Sequence, residues 1–182
     1  MNPIRSTETD GALESDPNIG ALVSAPEPET PALIEQDDLT VGDVVATREF
    51  HLTRDSLVRY AGASGDFNPI HYRDDVAQSV GLPGVLAHGM LTMGIAVQSV
   101  VDWLGTSGQV LDYQVRFTRP VPVDPATGAT IGVTAKIGVL DAAGARVDLT
   151  VTFDGSTVLG KAQVRVVFGA PSIAGASELS DV

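Results

Sequence analysis

Three side chains in one short loop have the types and spacing to move protons. Asp66, Asn68 and His71 lie within Gly65-Asp66-Phe67-Asn68-Pro69-Ile70-His71. A carboxylate and an imidazole can hold one water between them, and either can relay a proton. An Asn side chain donates and accepts without titrating, which suits it to orient its neighbours. Pro69 fixes one backbone angle and stiffens the loop. The same residue types also serve plain turn chemistry, with Asp and Asn bonding nearby backbone and a histidine capping a helix.

A second candidate is Ala87-His88-Gly89-Met90, at the start of an apolar stretch. Free backbone N–H groups at a helix start can receive a developing oxyanion such as an enolate oxygen. Gly89 would let a ligand approach the backbone closely. The competing reading is that Gly89 only allows tight packing, while His88 caps the helix or fills space. A metal site from Asp66, His71 and His88 matches no common zinc spacing. The reading therefore calls for no metal and no organic cofactor. His51 lies in a strand-like segment and is read as a surface or satisfied residue.

Several elements must position these residues. Val44–Leu52 reads as a first strand, and Thr53 is a good N-cap for a helix carrying Leu57, Val58, Tyr60 and Ala61. Residues 62–71 read as an irregular connection, followed by a short helix over Asp74–Val80 that Gly81 and Pro83 end. Residues 87–104 read as a long helix, apolar on nearly every face and so expected in the middle of the protein. Gln109–Thr118, Thr130–Leu140, Arg146–Phe153 and Thr157–Phe168 read as strands. Turns at Asp141–Gly144 and Asp154-Gly155 make hairpins of the last three. The fold class is α+β: a single hot-dog domain, with a five-stranded antiparallel sheet wrapped around a long central helix. Its open sheet edges favour pairing of two such units.

Composition bounds the alternatives. The chain has 182 residues, 43% of them hydrophobic, and no cysteine. That excludes a disulfide framework and a cysteine nucleophile. Of the net charge of -12, residues 1–40 hold nine acids and one base. No basic stripe exists, so a nucleic-acid partner is not expected. Residues 1–38 contain no aromatic residue and five of the eleven prolines, and read as a disordered acidic arm. The folded domain is placed at 39–169, with a flexible tail over 170–182. The start lacks a basic, apolar leader, and the stretch 87–104 is too broken by polar residues to span a bilayer. The expected location is cytoplasmic, with no membrane partner.

Together the residues resemble the MaoC-like family of (R)-specific enoyl hydratases and hydroxyacyl dehydratases. The resemblance is carried by Tyr60 to His71, with Asp-x-Asn-Pro-x-His, then Ala87-His88-Gly89-Met90-Leu91-Thr92-Met93-Gly94 and Val115-Arg116-Phe117-Thr118. It covers roughly residues 39–169. Within the family the chain looks most like the B subunit of the (3R)-hydroxyacyl-ACP dehydratase of mycolic-acid-type fatty acid synthase II. The resemblance implies Asp66 and His71 as the catalytic pair, Asn68 as the orienting neighbour and the Gly89 amide as the oxyanion donor. It implies reversible dehydration of (3R)-3-hydroxyacyl thioesters, with acyl-ACP or acyl-CoA as substrate. A homodimer, or a heterodimer with a second hot-dog subunit, is the implied assembly. One departure is Pro122–Gly128, where many relatives have a short Gly-Asp turn. A stand-alone (R)-enoyl-CoA hydratase and a non-catalytic hot-dog partner subunit are the alternatives.

Overall fold

Alternating burial along the C-terminal strands shows which face of the sheet closes over the core. In the computed structural model, which describes residues 33–169, Ala129, Ile131, Val133, Ala135 and Ile137 are all buried while their neighbours are not. Successive strand residues point to opposite faces, so one face is apolar and the other polar. Val147, Leu149 and Val151, then Val158, Ala162, Val164 and Val166, extend that apolar face across the next two strands. The outward face carries polar partners, including Arg146 on Asp148 and Gln163 on Asp148.

The strands are β1 (Val44–Leu52), β2 (Gly108–Phe117), β3 (Ala129–Asp141), β4 (Gly144–Phe153) and β5 (Ser156–Phe168). Their order in the sheet is β1-β3-β4-β5-β2, and every pair is antiparallel. The β4–β5 hairpin turns on Asp154 and Gly155, both with positive φ, the backbone that two-residue hairpin turns require. The edges, β1 and β2, are the two strands whose outer sides lack a neighbour among the described residues.

Three helices connect β1 to β2: α1 (Arg54–Ser64), α2 (Asp74–Ser79) and α3 (Gly89–Leu104). The Thr53 cap is realised as a capping box, with its side chain accepting from the Ser56 amide. The connection expected from residue 62 starts later, because α1 runs to Ser64 and ends on Gly65 in the left-handed region. Arg54 then ties three segments together. Its guanidinium pairs with both oxygens of Asp74 and donates to the Val123 carbonyl at 2.5 Å. Asp74 also accepts from the Val85 amide at 3.1 Å.

Two expectations need correction. Helix α3 is not buried on every side. Thr92, Ala96, Ser99, Val100 and Leu104 face the sheet, whereas Met90 and Val101 are exposed. One sheet can cover only one side of a cylinder, so apolar residues on the far side of α3 stay uncovered in the single chain. The domain boundary also moves. Residues 33–38 belong with the folded part: the Ile34 amide donates to Ser107 Oγ at 2.8 Å, and Gln36 to the Asp141 carbonyl at 3.0 Å. The remainder of the proposed acidic arm and the C-terminal tail lie outside the described residues. The irregular stretch after Pro122 forms a self-capped loop, in which Asp124 accepts from the Ala126 and Thr127 amides, both at 2.8 Å.

Since α1 leads into the candidate loop, its cap bears on both stability and site. Replacing Thr53 with Ala should lower unfolding stability by about 1 kcal/mol. Denaturant unfolding measures this; an unchanged midpoint would mean the capping box contributes nothing.

Candidate active site

The loop residues and the start of α3 meet across a short buried strap, Val85 to His88. Most backbone groups of this strap have a partner. The Leu86 amide donates to the Ile70 carbonyl at 3.1 Å, the Ala87 amide to Val121 at 2.8 Å, and the Val123 amide to Val85 at 2.9 Å. The strap is thereby fixed to the His71 turn on one side and to the segment before β3 on the other.

His71 closes a single 3-10 turn, Pro69–His71, that Asn68 caps by accepting from the Ile70 amide at 3.3 Å. Asn68 also receives help from Asp66, whose carboxylate accepts from the Asn68 amide at 3.2 Å. Asn68 therefore orients the backbone that carries His71; no side-chain bond runs from it to His71 or to the Asp66 carboxylate. His71 itself is buried, and its Nδ1 lies 2.8 Å from the Leu86 carbonyl. A carbonyl can only accept, so Nδ1 carries the hydrogen and Nε2 keeps a free lone pair. That lone pair faces Asp66, with Nε2 to Oδ2 at 3.9 Å. The Asp66 side chain is half exposed (51%) and His71 nearly enclosed (10%).

Gly89 is the first residue of α3, so its N–H has no acceptor within the helix. A Cβ at Gly89 would sit 3.1 Å from the Phe117 ring, so a larger residue would push that ring aside. His71, Gly89 and Phe117 line one cavity of about 360 Å³, closed further by Leu86, Val121 and Leu159. Its walls are mostly apolar; the imidazole, the helix start, Thr92, Thr118 and Arg119 supply the polar groups. A preformed cavity of that kind fits a substrate with an apolar chain and one reactive polar end.

His88 was expected to cap or fill space. It does not cap through its side chain. Its ring lies on the His71 ring with centroids 3.8 Å apart and planes 23° apart, and Tyr60 meets it edge-on at 4.9 Å. Its Nε2–H donates to the Asp66 carbonyl at 3.2 Å. Burial holds the His88 pKa below the usual imidazole value, against the opposing pull of the Asp66 carbonyl. Nothing in the spacing of His71 and His88 indicates that the rings stack.

The metal alternative gains proximity but not geometry. One potential ligand atom each from Asp66, His71 and His88 lies within 4.8 Å of the others. However, lone pairs of stacked imidazoles lie in nearly parallel planes and cannot converge on one ion about 2 Å from each. His51 is exposed, with Nδ1 3.3 Å from Thr130 Oγ1 and no part in this cluster.

Known proteins resemble this chain in sequence and fold. The family model described as "MaoC like domain" matches residues 37–152, well over half of the chain. The chain belongs to the MaoC-like family. It is 37% identical over 76 residues to 3-hydroxyacyl-thioester dehydratase X of Mycobacterium tuberculosis, a match covering 42% of this chain and 26% of that protein. It is 29% identical over 87 residues to the (R)-specific enoyl-CoA hydratase of Rhodospirillum rubrum, covering 47% of this chain and 60% of the relative. Among solved structures, a MaoC-like dehydratase superposes with TM-score 0.69 at 39% identity, covering 74% of this chain and 42% of the other. The chain thus spans about a quarter of the Mycobacterium relative and under half of that structure. The MaoC match fixes the hot-dog fold and reaches both motifs.

The direction of the His88 shift gives a pH test of stability. Between its native pKa and the unfolded imidazole value of about 6.5, only the unfolded chain binds the proton, so stability rises with pH there. It should fall as pH drops below about 6.5. The ion-paired carboxylates Asp74, Asp75 and Asp141, all held below their usual range by arginines, lose their contribution only below about pH 4. Denaturant unfolding from pH 7.5 to 5.5 should show a steeper loss for the wild type than for His88→Gln; parallel losses would contradict the assignment.

Proposed function

We propose that the chain is a hydro-lyase that interconverts (3R)-3-hydroxyacyl thioesters and trans-2-enoyl thioesters. The carrying observation is that His71 Nε2, left as a bare acceptor by the Leu86 carbonyl, faces the Asp66 carboxylate at 3.9 Å and shares a cavity with the free Gly89 amide. That separation is too long for a direct hydrogen bond and leaves room for one water about 2.8 Å from each group. The named activities of the relatives, a 3-hydroxyacyl-thioester dehydratase and an (R)-specific enoyl-CoA hydratase, support the same chemistry.

In dehydration, His71 Nε2 removes the C2 proton while the Gly89 N–H receives the enolate-like thioester oxygen. The C3 hydroxyl then leaves as water, taking that proton from the His71 imidazolium while Asp66 accepts a hydrogen bond from it. Hydration reverses each step. A preorganised oxyanion donor accounts for about 3–4 kcal/mol of barrier lowering, so the helix start matters as much as either side chain. These steps use only the chain's own groups.

Acyl-ACP in chain elongation is the carrier we assign, as in the dehydratase subunits the sequence resembles. A stand-alone hydratase acting on acyl-CoA is the second reading, favoured by the likeness to the Rhodospirillum enzyme. Turnover of matched acyl-ACP and acyl-CoA substrates separates the two. The uncovered side of α3, with Met90 and Val101 exposed, and the open sheet edges support pairing with a second hot-dog unit, as a homodimer or a heterodimer. No helix among the described residues is long and apolar enough to cross a membrane.

Asp66→Asn and His71→Ala should each lower enoyl-thioester hydration by about a hundred- to ten-thousandfold. Near-wild-type rates in both would remove the proposal.

A further inference from the structure

His88 touches every part of the proposed site without facing the cavity that His71 and Gly89 line. It immediately precedes Gly89, so its backbone sets the direction of the free amide. Its ring lies flat against His71, and its Nε2–H holds the Asp66 carbonyl. These contacts ask for a side chain that is both a flat ring and a donor at its far end. Phe would keep the stack and lose the bond, whereas Gln would keep the donor and lose the stack.

The arrangement also carries a cost. His88 is 1% exposed, and its Nδ1 has no hydrogen-bond partner. A buried acceptor without a partner opposes folding. A residue that served packing alone would avoid that cost by being apolar.

We propose that His88 is a positioning residue for this reaction: it holds the Asp66 backbone, the His71 ring and the Gly89 amide in one register. The stack blocks rotation of the His71 ring toward α3, complementing the Leu86 carbonyl at its other side. The carbonyl bond keeps the Asp66 loop against the helix start, so the carboxylate and the oxyanion donor cannot drift apart. His88 acts through its neighbours and touches no reacting atom. The inference rests on the hydro-lyase reading and names a further residue it needs.

The test compares wild type, His88→Phe and His88→Gln by enoyl-thioester hydration kinetics, thermal unfolding and side-chain nitrogen NMR of His71. His88→Phe removes the unpartnered nitrogen and should unfold no earlier than wild type. Its kcat should nevertheless fall by about 10- to 100-fold, as expected for a misplacement of about 1 Å, with KM within about threefold. His88→Gln, which keeps the donor, should recover part of that kcat. In His88→Gln the His71 nitrogen signals should shift or split as the ring loses the stack that fixes it. Wild-type kcat in His88→Phe, or a kcat loss that only follows the loss of folded protein, would overturn the proposal. If the wild type hydrates no enoyl thioester, the hydro-lyase reading fails on its own. The NMR arm still decides the positioning role, because unchanged His71 signals in His88→Gln, which lacks the stacked ring, would overturn it.

Discussion

The Leu86 carbonyl governs the chemistry available to this chain, because it determines which nitrogen of His71 carries the hydrogen. With the 2.8 Å bond to Nδ1 in place, the lone pair is confined to Nε2 and points toward Asp66. Were that carbonyl turned away, the ring could swap tautomers or rotate, and the Asp66–His71 separation would have no chemical meaning. The carbonyl is held because the Leu86 amide bonds Ile70, while Ala87 and Val85 bond Val121 and Val123. A strap anchored on both sides thus delivers a fixed acceptor to one histidine. Three residues later it delivers a free amide at Gly89.

That economy explains the surrounding architecture. Arg54 and Asp74 tie the ends of the helical segment to the strap through Val85 and Val123. The sheet supplies an apolar floor; its strands place Phe117 and Leu159, and the segment before β3 places Val121, around the cavity. Helix α3 contributes its N-terminus to the site and its buried face to the core. Its other face leaves Met90 and Val101 exposed beside Gln98 and Asp102, which follows from a single five-stranded sheet covering one side of a helix.

Much of this was legible before any coordinates. Strand alternation, the Thr53 cap and the Asp154-Gly155 turn are local signals, and each element falls within a few residues of its expected place. The Asp66–His71 pair was legible because both residues lie in one loop. The roles of Leu86 and His88 were not. A backbone carbonyl leaves no mark in residue type, and the His71–His88 stack joins positions seventeen apart through a turn whose path the sequence does not reveal. Asn68 was read as the orienting neighbour of the pair, and its side chain caps the 3-10 turn that carries His71. The helix looked buried all round because apolar composition does not distinguish a core face from an interface.

The central claim is that the Asp66–His71 pair and the Gly89 amide act on one thioester. A crystal structure of Asp66→Asn with a bound trans-2-enoyl thioester tests it most directly. The account places the thioester oxygen about 3 Å from the Gly89 nitrogen, with C3 facing the gap between residue 66 and His71 and the acyl chain beside Phe117. A thioester bound with its oxygen away from Gly89, or with its acyl chain outside that cavity, would contradict it.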